Sequence, residues 1–146
     1  MMQRLETDLL RRWDELEFED FLGSKVAIID IDGEDGVPGS AIVMAIEYAP
    51  DFYVAAHRHA TGHVEVILEG SLQVGDHWER PGDMRVVPAN CSYGPLQAGP
   101  EGCKGLEFFP DRRAVLPTVD NPDEQATRVG DAADLRLRLE KLLKLS

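Results

Sequence analysis

The stretch His57-Arg58-His59-Ala60-Thr61-Gly62-His63-Val64-Glu65-Val66-Ile67-Leu68-Glu69-Gly70 decides how the rest of the chain is read. Three of the chain's four histidines stand in its first half. Alternate side chains of an extended strand share a face, so His57 and His59 point the same way. A short Ala60-Thr61-Gly62 turn then lets His63 return to meet them. A lone imidazole is usually a surface residue or a hydrogen-bonded core residue, and His77, in Gly75-Asp76-His77-Trp78, reads as a turn residue of that kind. Imidazoles clustered at this spacing instead match the ligand habits of Zn, Fe, Ni and Cu. If the strand after His63 is regular, His63, Glu65 and Ile67 share its inner face. Glu65 would then lie in an apolar interior beside the imidazoles, where burial raises a carboxyl pKa towards values useful for proton transfer. A register slip of one residue would return Glu65 to the surface.

Working outward, short Val/Ile/Leu-rich runs alternate with turn residues. Strands are expected over 25–31, 41–48, the segment bearing His57 and His59, 64–68, 71–74, 84–87 and 104–109. Between them stand the Gly70 break and turns at Arg80-Pro81-Gly82-Asp83, Pro88-Ala89-Asn90 and Gly99-Pro100-Glu101-Gly102. No helix fits between 25 and 110, so the centre of the chain is all-β.

The flanks differ. Leu5, Leu9, Leu10 and Trp13 recur near helical spacing and predict a short amphipathic helix over about 3–13, and 16–21 alternates like an acidic edge strand. Pro110, Pro117 and Pro122 predict an extended segment lying over the surface. Leu135, Leu139 and Leu142 then mark a helix running to Leu145, with Asp131 as its cap.

The chain has 146 residues, enough for one domain (1–146, barrel core about 25–110) with a core of its own. A formal net charge of −12 with no basic block argues against nucleic-acid or anionic-membrane partners and leaves small molecules or other proteins. No stretch has the length of a signal peptide or a membrane span, and Cys91 and Cys103 fit free thiols, although a bridge between neighbouring strands stays open. A cytoplasmic location is expected.

The strand rhythm, the His-x-His pair and the later Pro-Gly-Asp turn together resemble the cupin superfamily over about residues 40–110. The resemblance implies a jelly-roll β-barrel, a double-stranded β-helix, with a metal near its middle. In the first family motif two histidines precede a glutamate and then a glycine; His57, His59 and Gly70 match, and His63 stands where the glutamate is usual. In the second motif Pro81-Gly82-Asp83 and residues 88–93 align, and Tyr93 stands where the family has its last histidine ligand. Tyr93 is therefore a ligand, a hydrogen-bond donor beside an open metal position, or a residue that simply fills the barrel.

A set of His57, His59 and His63 would lack the usual negative ligand. It would leave a divalent ion more strongly Lewis acidic and receptive to a small chelating substrate. Three-histidine cupins implied by the resemblance include Fe(II)-dependent dioxygenases, which makes that the leading expectation, with Zn, Ni or Mn as other ions. Glu65 and Tyr93 are the residues expected to move protons. A metal-dependent lyase or isomerase and a non-catalytic sensor or binding module are the competing readings. Homodimer formation is expected, through the apolar stripes at the two termini.

Overall fold

The computed structural model describes residues 9–32, 39–124 and 132–145. Ten strands are laid down in chain order: β1 (Glu19–Phe21), β2 (Ser24–Asp30), β3 (Ile42–Tyr48), β4 (Tyr53–Val54), β5 (His57–Arg58), β6 (His63–Val74), β7 (His77–Glu79), β8 (Met84–Val87), β9 (Leu96–Phe109) and β10 (Thr118–Val119). All pair antiparallel. Eight form one sheet ordered β1-β2-β3-β9-β6-β7, with β4 added to β9 and β8 to β6, while β5 and β10 make a second, two-stranded sheet. Among the described residues between 25 and 110 there is no helix, as the alternating pattern predicted.

The long strands β6 and β9 are the spine, and both are longer than the sequence suggests. Gly70 has the sequence signature of a break and Gly99-Pro100-Glu101-Gly102 that of a turn, yet both lie inside strands. Their φ angles of 75° and 80° at Gly70 and Gly102 explain why: the register shifts beside Gly70, and the paired strands bend together there. A Cβ on Gly70 would stand 2.2 Å from the Gly102 carbonyl oxygen, so only glycine permits this approach.

The inner face carries Val26, Ile42, Met44, Ile46, Ile67 and Phe109, all buried. Part of the outer face is apolar too, beside a charged row of Lys25, Glu47, Lys104 and Glu69. Cross-strand register aligns Val86, Val64, Phe108, Val43 and Ile29 in one row and Met84, Val66, Leu106, Ala45 and Ala27 in the next. Val86 is 70% and Met84 65% exposed at one end of these rows.

The flanks bring corrections. Within the expected N-terminal helix, residues 1–8 lie outside the described residues, 9–12 carry no regular structure, and Trp13–Glu15 make one 3-10 turn. Trp13 leaves the helical stripe to donate from Nε1 to Glu47, 2.7 Å away, and its ring packs against Phe18. The segment after Pro110 does not simply run over the surface. Arg112–Val115 form a 3-10 turn whose Arg112, Ala114 and Val115 are buried. Arg112 is the reason: its guanidinium donates to the Leu143 carbonyl oxygen at 2.9 Å and meets Asp30 at 2.5 Å, pulling the turn inward. The C-terminal helix α1 (Ala132–Leu142) forms but ends at Leu142 instead of Leu145, and its expected cap Asp131 lies outside the described residues. Leu135, Leu139 and Leu143 are buried against the core while Leu142 is only partly buried, so the stripe is spent within the chain. Cys91 and Cys103 are free, and no helix among the described residues is long and apolar enough to cross a membrane.

Candidate metal centre

His57 begins the site because β5 pairs on one side with β10 and on the other with Tyr93: the His57 N–H donates to the Tyr93 carbonyl at 3.0 Å, and the Tyr93 N–H returns the bond at 2.9 Å. Directly opposed residues project to the same face, so the phenol meets the imidazole. His59 follows at alternate spacing, and His63 opens β6 on the inner face. All three imidazoles are buried, at 4%, 7% and 4% exposure.

The three Nε2 atoms converge on the Tyr93 hydroxyl, at 3.1 Å from His57, 3.1 Å from His59 and 3.2 Å from His63. Nδ1 of His57 faces the Ala55 carbonyl and Nδ1 of His59 the Ala114 carbonyl, each at 2.8 Å. A carbonyl only accepts, so both rings carry their proton on Nδ1 and turn a bare lone pair inward. One phenol has one proton to give, which leaves at least one of these two buried lone pairs without a donor. His63 Nδ1 is also buried without a partner.

Such a donor set suits a divalent transition-metal ion. Two atoms bound at about 2.1 Å to one ion lie about 3.0–3.4 Å apart at octahedral to tetrahedral angles, which is the spacing between the Tyr93 hydroxyl and each of the three Nε2 atoms. Among the described residues His, Cys, Asp and Glu alone close no such set; the phenol oxygen is the point on which the imidazoles centre.

The electrostatics keep the imidazoles neutral. Burial, then the neighbouring His57, lowers the His59 pKa to about 3. Burial, then the Arg85 charge, lowers that of His63 to about 4, and burial also lowers His57. Burial, then Glu107 and Glu65, raises the Tyr93 phenol well above its ordinary value, so it stays protonated.

Glu65 is buried on the His63 face, as the regular strand predicted, but its surroundings are not apolar. Register places Arg85 of β8 on one side and Glu107 of β9 on the other. Arg85 Nη2 lies 2.5 Å from Glu65 and Arg85 Nε 2.8 Å from Glu79, with the guanidinium 4.4 Å from the centre of the Tyr93 ring. The carboxyl pushed well above the usual range is Glu107, through burial and then the Glu65 charge beside it. Arg85, Glu79 and Glu107 are the members of the site that sequence reasoning missed. Their only signal was strand parity, which needs the register first. His77 opens β7 instead of lying in the turn before it, with its side chain 60% exposed and Nε2 3.6 Å from Glu79.

A cavity of about 60 Å³ opens beside His57, His59 and Tyr93, with Tyr48 and Glu107 as its other polar walls.

Comparison with protein-family models and with curated proteins finds no match. Solved structures do match. An RmlC-like cupin from Shewanella frigidimarina is 18% identical over 70% of this chain and 90% of its own, at a TM-score of 0.58. The polyketide cyclase RemF from Streptomyces resistomycificus is 19% identical over 70% and 78% of the two chains, at 0.57. Oxalate decarboxylase from Bacillus subtilis, described with Mn(II) centres, is 17% identical over 68% of this chain at 0.54, and the chain spans only 28% of that longer one. Jelly-roll strand order and these likenesses lead to one conclusion: the chain has the cupin superfamily fold.

Proposed function

We propose that this protein is a metal-dependent cupin enzyme in which His57, His59 and His63 hold a divalent ion and Tyr93 stands at its open side. The observation that carries this reading is the convergence of three imidazole Nε2 atoms on one phenol with a single proton to share. The Mn(II) centres of oxalate decarboxylase support a divalent ion in such a fold. Fe(II) is the ion we propose, against Zn, Ni and Mn, and a dioxygenase acting on a small organic substrate is the leading activity. When bound, the ion supplies Lewis acidity and, as iron, a site for oxygen chemistry. The chain's residues do the rest. Carbonyls of Ala55 and Ala114 orient the imidazoles, and Tyr93 donates its hydroxyl to substrate oxygen. Arg85 is paired with Glu65, and burial raises the Glu107 carboxyl well above the usual range, so Glu107 carries a proton in this corner.

That last point favours a second reading, a lyase or isomerase. Tyr93 and Glu107 both line the cavity, which gives it two proton-carrying groups at once. A non-catalytic module would bind ligand without turnover. Metal content of protein purified without a His tag, followed by oxygen uptake against a substrate panel, separates these. Tyr93→Phe is expected to keep one equivalent of metal and to lose about 100-fold in turnover, the scale of a lost proton donor. If iron-loaded, air-oxidised protein shows a visible tyrosinate band that Tyr93→Phe bleaches, Tyr93 is a ligand instead. Unchanged colour, metal and turnover would leave it a packing residue.

We further propose a homodimer, working in the cytoplasm where free thiols persist. Its contact is not the C-terminal stripe, which the barrel covers. The two outer-face rows that run from Met84 and Val86 to Ala27 and Ile29 hold ten apolar residues and no charge, on a chain of net charge −12. Two copies can meet there without bringing like charges together. Light scattering should give a dimer for the native chain and a monomer for Val86→Asp; a monomeric native chain at micromolar concentration would end this reading.

A further inference from the structure

We propose that α1 sets the size of what the site accepts: Leu135 and Leu139 close the cavity beside His57, His59 and Tyr93, so the ligand is a short molecule with one polar end and an apolar body. The polar end rests on the metal reading above; the apolar body rests on the cavity alone.

The cavity is polar only where it meets His57, His59, Tyr93, Tyr48 and Glu107. Elsewhere Val26, Met44, Ile46, Val54 and Leu96 form its sides, and Leu135 and Leu139 contribute the wall from α1. No Lys or Arg lines it. Arg85 is engaged by Glu65 and Glu79, and Arg112 by Asp30. A second charge at the far end of a ligand would therefore be buried unpaired, which costs more than a hydrocarbon end gains.

The wall is anchored. Leu143, at 0% exposure, gives its carbonyl to Arg112 Nε at 2.9 Å, and Arg112 is held in turn by Asp30 and Ser40. Leu139 and Leu135 sit one and two turns back on the same face, so their positions follow from that anchor. A buried apolar cavity of about 150 Å³ accommodates benzene. By that scale the 60 Å³ here accommodates a body of about two to three carbon atoms.

Unbranched carboxylates from acetate to hexanoate, titrated into zinc-loaded protein and followed by methyl shifts of Met44 and Ile46, test this. Each added methylene should tighten binding about 4-fold until the wall is reached near butanoate, after which affinity falls. Succinate should bind at least about 10-fold more weakly than butanoate, because its second carboxylate meets the apolar wall. Leu139→Ala should move the turning point outward by about two carbons, and Leu139→Val, which disturbs the fold less, by about one. An unmoved turning point in the folded variants, no dependence on length, or succinate binding as tightly as butanoate would overturn the inference. Primary alcohols of the same lengths, titrated into metal-free protein, read the wall without the ion. If zinc fails to bind while the alcohols keep the length profile, the metal reading falls and the wall stands.

Discussion

His59→Ala is expected to abolish stoichiometric binding of divalent metal, with affinity falling by more than about 100-fold, the upper end of what losing even an outer hydrogen-bond partner costs. His59 is the sharpest choice because its ring is fixed from both ends. Nδ1 is tied to the Ala114 carbonyl and Nε2 points at the common centre. The barrel should still fold, since the ring packs only against Phe109 and the other site rings, His57, His63 and Tyr93, and takes no part in strand pairing. A full equivalent of metal retained in His59→Ala, with circular dichroism unchanged, would sink the assignment of all three histidines.

The same imidazoles set the pH response, and it departs from simple expectation. Free histidines would release metal as pH falls through about 6.5. Here burial lowers His59 to about 3 and His63 to about 4, so protons compete for these nitrogens only near those values while the barrel stays folded. Stability responds earlier. The unfolded chain's imidazoles take up protons below about 6.5 and the folded chain's do not, so the unfolded state binds more protons between these limits. The stabilisation from neutral burial is thus complete above about 6.5 and drains away as pH falls towards 4. Metal affinity of the folded protein should be flat from pH 7 to 5, while the urea midpoint of metal-free protein drops over the same range.

How much of this the sequence carried differs from residue to residue. The imidazole cluster was legible because its members are close in sequence and strand alternation alone brings them together. Tyr93 was legible through the motif, but its place opposite His57 was not, because the bridge that sets it joins residues 36 apart in the chain. Arg85 and Glu107 were not, because each reaches Glu65 across a strand pair separated by twenty or more residues, and nothing local reports that register. Gly70 and Gly102 misled in the other direction. Glycine at positive φ is ordinary turn chemistry, and only the partner strand reveals that the two mark one bend in a continuous pair. The turn at 112–115 was hidden for a third reason: prolines at 110 and 117 read as extended chain, whereas burial of one arginine decided the path.

Arg85→Met should destabilise the folded protein by about 3–5 kcal/mol in urea titrations at neutral pH, the cost of removing one partner from a buried ion pair. Two carboxylates depend on this guanidinium. Glu65 is 2% exposed and Glu79 6%, and among the described residues Arg85 is the one lysine or arginine paired with either, with the exposed His77 3.6 Å from Glu79 as its other neighbour. Desolvation opposes the Arg85 charge, yet Glu65 and Glu79 outweigh it and hold its pKa up. Burial already raises the Glu79 pKa against the opposing Arg85 charge, so without that charge proton uptake in the folded state is favoured further. The unfolded state then binds fewer protons near neutrality, and the deficit is greatest at pH 7 and shrinks as pH falls towards the carboxylate range. Adding Glu65→Gln to Arg85→Met should recover part of the loss, because one unpaired charge disappears and Glu107 keeps a hydrogen-bond partner. A deficit below about 1 kcal/mol, or one that does not change with pH, would mean that water reaches this cluster and that Tyr93 is positioned by packing instead of by the charge stacked on its ring.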